Sequence, residues 1–345
     1  MKMLKKVLYF FIILFLIMYF FSYQLILESN AKTVSNSSDE KVYIVGKNIG
    51  LKLYTNGILV IGMSEIEGDD GNKYKPYDNT GIEIGDLIKE VNGESVNNTN
   101  ELINILNNNG ENEIEVKYLK NYDLITTKIK PVKTELGYMI GLWVRDAASG
   151  IGTLTYYNES NNRFGALGHG IEDVDTGNLL NIAKGELVTS NIVSIVKAKK
   201  GIHGEVRGTI EDGKLIGEID KNTEIGVYGN CDNEIKRLGL FECEVANINQ
   251  IKIGKADIYC EFENGKVDKY EIEIRKIFRA NKKDNKSMLI KITDKRLLEK
   301  TGGIIPGMSG TPIVQNGKFI GAITNVLVNK PDEGYAIFAK LMTEN

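Results

Sequence analysis

The chain has 345 residues, with 43 Lys and Arg against 46 Asp and Glu, two His, three Cys and 36 Gly. A net charge of -3 over this length supplies no basic field for a phosphate backbone, so a dedicated nucleic-acid binder is excluded. Two histidines exclude a multi-histidine metal site, and any imidazole chemistry falls to His169 or His203.

Lys2, Lys5 and Lys6 precede an uncharged stretch from Val7 to Leu27 that is solidly apolar through Phe21. That length crosses a hydrocarbon core of ~30 Å, and the basic flank stays in the cytoplasm. Residues 1–27 are therefore expected to form a membrane anchor, with everything after Glu28 extracytoplasmic. A cleaved signal peptide is the alternative, with Ser29-Asn30-Ala31 as a small-x-small processing site. Residues 28–41 are polar and aperiodic, which predicts an exposed linker.

From Val42 the chain changes to short strands separated by Gly and Asn. In Gly81-Ile82-Glu83-Ile84-Gly85-Asp86-Leu87-Ile88-Lys89-Glu90-Val91-Asn92-Gly93, a Gly-Asp turn leads into an alternating strand that ends at an Asn-Gly turn. Asn98 then caps a helix, with Glu101 as its capping-box partner and Leu102, Ile105 and Leu106 as the apolar stripe. This phrase resembles the PDZ domain, and the resemblance spans residues 42–132. It implies that Ile49-Gly50-Leu51-Lys52-Leu53 forms the loop and strand edge that receive a peptide terminus by strand addition.

After Pro131 the pattern stays almost entirely β. Asp212-Gly213, Asn264-Gly265 and Asn316-Gly317 each lie between apolar-alternating runs and predict hairpins, so residues 133–345 are expected to form an antiparallel barrel or sandwich. Cys231, Cys243 and Cys260 match no zinc or disulfide framework and read as small buried hydrophobes, with one disulfide plus a spare thiol as the alternative.

The densest chemical signal is Gly302-Gly303-Ile304-Ile305-Pro306-Gly307-Met308-Ser309-Gly310-Thr311-Pro312-Ile313-Val314. A serine between glycines on a sharp turn has an exposed Oγ and nearby N–H groups, as a hydroxyl nucleophile requires. Gly307 and Ser309 are placed to supply an oxyanion hole. Phe164-Gly165-Ala166-Leu167-Gly168-His169-Gly170-Ile171 delivers an imidazole between glycines, suited to a general base. His203 sits in a Lys- and Gly-rich loop and reads as solvated.

Gly-x-Ser-Gly-x-Pro after a distant His resembles the chymotrypsin-like serine peptidases. A closer resemblance is to the SpoIVB peptidase family, which joins a membrane anchor, a PDZ domain and a serine peptidase domain. It is carried by Gly141–Thr153, Gly165–His169, Asn222–Gly229 and the stretch from Ile292 to Thr324. The resemblance implies a mainly β architecture with a chymotrypsin-like antiparallel barrel and assigns Asp294 as the acid that orients His169. Taken by itself, Asp294 also reads as a helix N-cap, and Asp173 and Asp175 are the next candidates.

For function, the resemblance implies a membrane-anchored, extracytoplasmic serine endopeptidase of sporulation signalling, without cofactor. Such enzymes act in the space between forespore and mother-cell membranes, release themselves from the anchor by self-cleavage, and cut a membrane-bound regulator of an intramembrane protease that controls a late sigma factor. Its partners are then protein substrates, itself and the membrane. The competing class is a PDZ adaptor without catalysis, and a serine esterase is the third reading.

Overall fold

The computed structural model describes residues 40–263, 265–279 and 285–345, with backbone alone at 211–213. The expected anchor over 1–27 and all but the end of the expected linker over 28–41 lie outside these residues. Val42–Asn345 forms one compact unit. Among the described residues no helix is long and apolar enough to cross a membrane.

The architecture is mainly β and contains two cycles of paired strands. In the first, β1 (Lys41–Met63) pairs with β5 (Leu142–Asn158), which pairs with β6 (Arg163–Ala166). The cycle continues through β9 (Gly226–Cys231), β8 (Glu205–Thr223) and β7 (Ile182–Val196), and β7 pairs back with β1. Every pairing in it is antiparallel. Leu51, Leu53, Leu154, Phe164, Leu187 and Val227 fill its interior.

The second cycle runs β10 (Gly254–Glu263), β11 (Lys266–Ile277), β12 (Met288–Ile292), β15 (Lys330–Phe338), β14 (Lys318–Leu327) and β13 (Pro312–Gln315), with β13 returning to β10. Ile258, Ile272, Ile290, Ile313 and Phe338 form its core. A separate cluster containing Ile44, Tyr156 and Tyr228 from the first cycle and Val314, Phe319 and Ile337 from the second joins the two. Each such fully buried side chain contributes about 1.5–3 kcal/mol.

A smaller module is inserted between β1 and β5. It contains β2 (Leu87–Val91), β3 (Ile114–Lys120), β4 (Asp123–Ile129) and helix α1 (Thr99–Asn109) around Ile58, Val60, Ile88, Leu102, Leu106 and Val116. Asn98 Oδ1 accepts the Glu101 N–H at 3.0 Å, as expected of the cap. The reciprocal bond is displaced by one residue: the Glu101 carboxylate accepts from Asn97 N–H at 2.8 Å.

The sequence reading needs correction at three places. Ile49–Leu53 is not an open peptide-binding edge, because this part of β1 pairs with Gly152–Ala148 on one side and Thr189–Gly185 on the other. Ile49, Leu51 and Leu53 are core residues, and a strand paired on both edges has no backbone donors left for a ligand. Residues 42–54 consequently belong to the first cycle, and β1 enters the small module only after Gly57, which bends the strand with φ +115°. Finally, Asp212-Gly213 lies within β8 at a register break between Leu215 and Ile210, with no reversal of the chain. The local turn signal is overridden there by pairing with β7, whereas Asn316 and Gly317 form the expected turn, with φ 53° and 77°.

Candidate active site

The segment carrying Ser309 is a pair of tight turns between helix α2 (Lys295–Thr301) and β13. Met308 N–H donates to Ile305 O at 3.0 Å and Thr311 N–H to Met308 O at 2.9 Å. Gly307 and Gly310 have φ +101° and +91°, and a Cβ at Gly310 would stand 2.3 Å from Thr153 O. Only glycine satisfies both constraints at position 310. Among the described residues the N–H groups of Gly307 and Ser309 have no hydrogen-bond acceptor, while both carbonyls are engaged by Thr153. Ser309 Oγ donates to Thr324 O at 2.9 Å.

His169 follows β6 through Leu167 and Gly168, both left-handed at φ 67° and 72°. A non-glycine residue in that region is uncommon and concentrates at functional sites. His169 Nδ1 lies 2.7 Å from Gly170 O. A carbonyl can only accept, so Nδ1 carries the proton of the neutral ring and Nε2 is the basic nitrogen. Behind the ring, Asn222 holds the chain: its Oδ1 accepts Ile171 N–H at 2.8 Å, and its Nδ2 donates to Ile171 O and Leu180 O.

Thr153 joins the two turns. Its N–H donates to Ser309 O at 3.0 Å, its Oγ1 donates to Gly307 O at 2.8 Å, and its carbonyl accepts Leu167 N–H at 3.2 Å. Thr155 adds a hydroxyl bond to Gly310 O at 2.7 Å. Ser309 and His169 consequently line one cleft of about 1000 Å³, together with Ser149, Ile305, Asn325 and His203. His203 is exposed, as expected, yet its loop forms part of the cleft wall.

The three carboxylates considered from sequence lie elsewhere. Asp294 caps α2 by accepting Arg296 N–H at 2.9 Å, and it pairs with the Arg296 guanidinium at 2.7 Å. That guanidinium holds its carboxyl below the ordinary carboxylate range. Asp294 does not line the cleft and makes no hydrogen bond to His169. Asp173 is buried in the turn after His169; burial alone would raise its carboxyl, but the Thr176 and Asp175 N–H groups and Arg145 more than offset that and lower it. Asp175 pairs with the same Arg145 at 2.7 Å. Of the acids, Glu224 and Glu172 border the cleft, both exposed.

The cysteines are free thiols. Burial pushes Cys231 up to about 12 and Cys243 up to about 11, so neither is a thiolate near neutral pH.

The family model for SpoIVB peptidase S55 matches residues 136–343, more than half of the chain and including both turns of the cleft. The chain belongs to the SpoIVB peptidase S55 family. It is accordingly a serine peptidase. Among solved structures, the PDZ domain of the SdrC-like protein from Listeria monocytogenes is 21% identical, with TM-score 0.22, over 26% of this chain and 87% of that chain. The HtrA-type protease AlgW with decapeptide is 15% identical, with TM-score 0.33, over 58% of this chain and 52% of its own. No curated protein matches the chain.

Thr153, Thr155, Asn222 and Thr324 were not singled out from sequence. Thr153, Thr155 and Asn222 act through side-chain bonds to a carbonyl or amide dozens of residues away, and Thr324 through its own carbonyl, which accepts the Ser309 hydroxyl; none of these carries a local mark in the sequence.

Proposed function

We propose that this S55 peptidase cleaves peptide bonds with Ser309 as nucleophile and His169 as general base. On substrate binding the Ser309 hydroxyl turns from Thr324 O to His169 Nε2, which takes its proton as Oγ attacks the scissile carbonyl. The N–H groups of Gly307 and Ser309, without an acceptor among the described residues, donate to the developing oxyanion. Gly170 O then holds the Nδ1–H of the imidazolium, and His169 returns its proton to the leaving amine. No step calls on Asp294. The two cycles of six strands, with the site supplied by one turn from each, suit a chymotrypsin-like pair of barrels.

The bond network centred on Thr153 carries this reading, because it ties the half-buried serine and its two free amides to the loop that brings the imidazole to the same cleft. A fluorophosphonate probe is expected to label the full chain at Ser309 and to leave Ser309→Ala unlabelled. Labelling at another residue, or equal labelling of the variant, would reject the assignment.

The biological setting follows the family. We propose an enzyme anchored by residues 1–27 with its catalytic unit outside the cytoplasm, a PDZ module within 57–140, and a membrane-bound regulatory protein of sporulation as substrate. The basic flank and apolar run at the N-terminus support the topology, and a shared membrane raises the effective concentration of its own linker. Expression of the full chain is expected to yield a soluble species whose N-terminus lies between residues 28 and 60, whereas Ser309→Ala stays full-length in the membrane fraction. A soluble species of the same size from Ser309→Ala would assign the release to another protease.

A further inference from the structure

Strand β5 is hydrogen-bonded on one edge only over much of its length. From Thr153 back to Ala147 it pairs with Asn48–Tyr54 of β1 without a register shift, whereas β6 begins to pair with its other edge only at Leu154. In an antiparallel pair, the N–H and C=O of successive residues point to alternate edges. Thr153 sets the parity: its N–H bonds Ser309 O and its carbonyl bonds Leu167 N–H, both on the side away from β1. Ile151, Ser149 and Ala147 therefore direct their N–H and C=O groups to that same side, where none has a partner among the described residues. Asp146, of opposite parity, turns its carbonyl toward β1, where it accepts Thr55 Oγ1 at 3.0 Å.

Among the described residues no hydrogen bond is made to this edge. Ala147, Ser149 and Gly150 are exposed, and no atom lies within 4 Å of where a Gly150 Cβ would stand. Ala148, Ser149, Gly150 and Ile151 border the cleft that holds Ser309 and His169. At its other end the strand reaches the small module, where the Asp146 carboxylate accepts the Thr99 N–H of α1 at 2.6 Å. Folded proteins ordinarily blunt or cover a free edge. Here it begins one alternate residue from the amide that holds the nucleophile.

We propose that the β5 edge from Ile151 to Ala147 takes the substrate chain, on the C-terminal side of the scissile bond, as an added antiparallel strand. The proposal rests on Ser309 as nucleophile. The added chain is taken antiparallel, as both existing neighbours of β5 are, and β5 runs toward Ser309. A chain antiparallel to β5 runs away from Ser309, so the residues after the cut occupy the edge. At ~3.3 Å per residue the span from Thr153 to Ala147 is ~20 Å, which accommodates about six substrate residues. Main-chain bonds of this kind give affinity with little dependence on side chain. The substrate class is thus an extended segment with at least six residues beyond the cleaved bond.

The test uses β-casein as probe. Once a bond cut by the full chain has been mapped, two peptides are made with the same residues before that bond and either two or eight after it. The longer peptide is expected to have at least a tenfold higher kcat/KM. Ser149→Pro removes one outward N–H at a position where an edge strand tolerates proline, and it is expected to bring the long-to-short ratio close to one. A wild-type ratio within twofold would overturn the proposal, as would a tenfold ratio retained by a Ser149→Pro protein that melts like wild type. If the proline variant does not fold, the wild-type ratio alone decides. A Ser149→Pro-sensitive dimer with no length dependence would assign the edge to a second copy instead. Failure of a fluorophosphonate to label wild-type Ser309 would remove the nucleophile and this inference with it, whereas labelling without length dependence would remove the inference alone.

Discussion

The turn that carries Ser309 and the turn that carries His169 are built in different ways. Around Ser309 the backbone is held at the carbonyls of Gly307, Met308, Ser309 and Gly310 and at the amide of Gly310, two of these bonds coming from threonine hydroxyls. Among the described residues the His169 ring has one hydrogen bond, to the carbonyl of the next residue, and the restraint on its loop is applied beyond it, where Asn222 grips Ile171. The proposed role of Ser309 as nucleophile requires Oγ and two amides in a fixed geometry, which these bonds hold. The proposed role of His169 as base requires a defined tautomer, which the Gly170 carbonyl can fix.

Removing either functional group should give the largest effects. Ser309→Ala and His169→Ala are each expected to lower kcat for casein cleavage by roughly 10⁴–10⁶ while leaving the melting temperature near wild type. Activity within tenfold of wild type in either protein would break the assignment. Thr153→Val tests the joint between the turns, because it deletes the hydroxyl bond to Gly307 O but keeps the backbone bonds. Its stability cost is about 0.5–1.5 kcal/mol, yet displacement of the oxyanion amides should lower kcat by about 10–100-fold. A loss confined to stability would make Thr153 a structural residue only.

The buried Asp173 should affect stability more than chemistry. Its folded carboxyl is held below its ordinary value of 3.8, so the stabilisation is fully present above that pH and is lost as pH falls through the lower folded value. Asp173→Asn is expected to cost about 1–3 kcal/mol at pH 7, with the gap in melting temperature closing in acid. A gap that widened on acidification would contradict the ion pair with Arg145. Asp294→Asn should have the smallest effect: Asn is a good cap and the Arg296 side of the ion pair is exposed, so the cost stays at ~1 kcal/mol. With its carboxylate outside the cleft, kcat should stay within about threefold. A loss of about 10⁴ with unchanged stability would restore Asp294 as the orienting acid.

What was legible in the sequence was what is decided locally. Ser309 and His169 stood out because left-handed turns and close backbone approaches demand glycine at Gly307, Gly310 and Gly168, a requirement written at the position itself. The cap at Asn98 and the turn at Asn316-Gly317 were readable for the same reason. Ile49–Leu53 was misplaced because a strand's edges are set by its partners, and Gly150 and Leu187 lie about a hundred or more residues away in sequence. Thr153 was invisible on similar grounds: its hydroxyl acts on Gly307, 154 residues distant. At Asp294 the local rule and the family resemblance gave different roles, and the geometry follows the local rule.

The most direct measurement is a crystal structure of the phosphonylated enzyme. Phosphorus is expected on Ser309 Oγ, with one phosphonyl oxygen within ~2.7–3.1 Å of both the Gly307 and Ser309 amides and with His169 Nε2 facing Ser309 Oγ while Nδ1–H remains on Gly170 O. A carboxylate seated on Nδ1, or a phosphonyl oxygen turned away from the two amides, would contradict it.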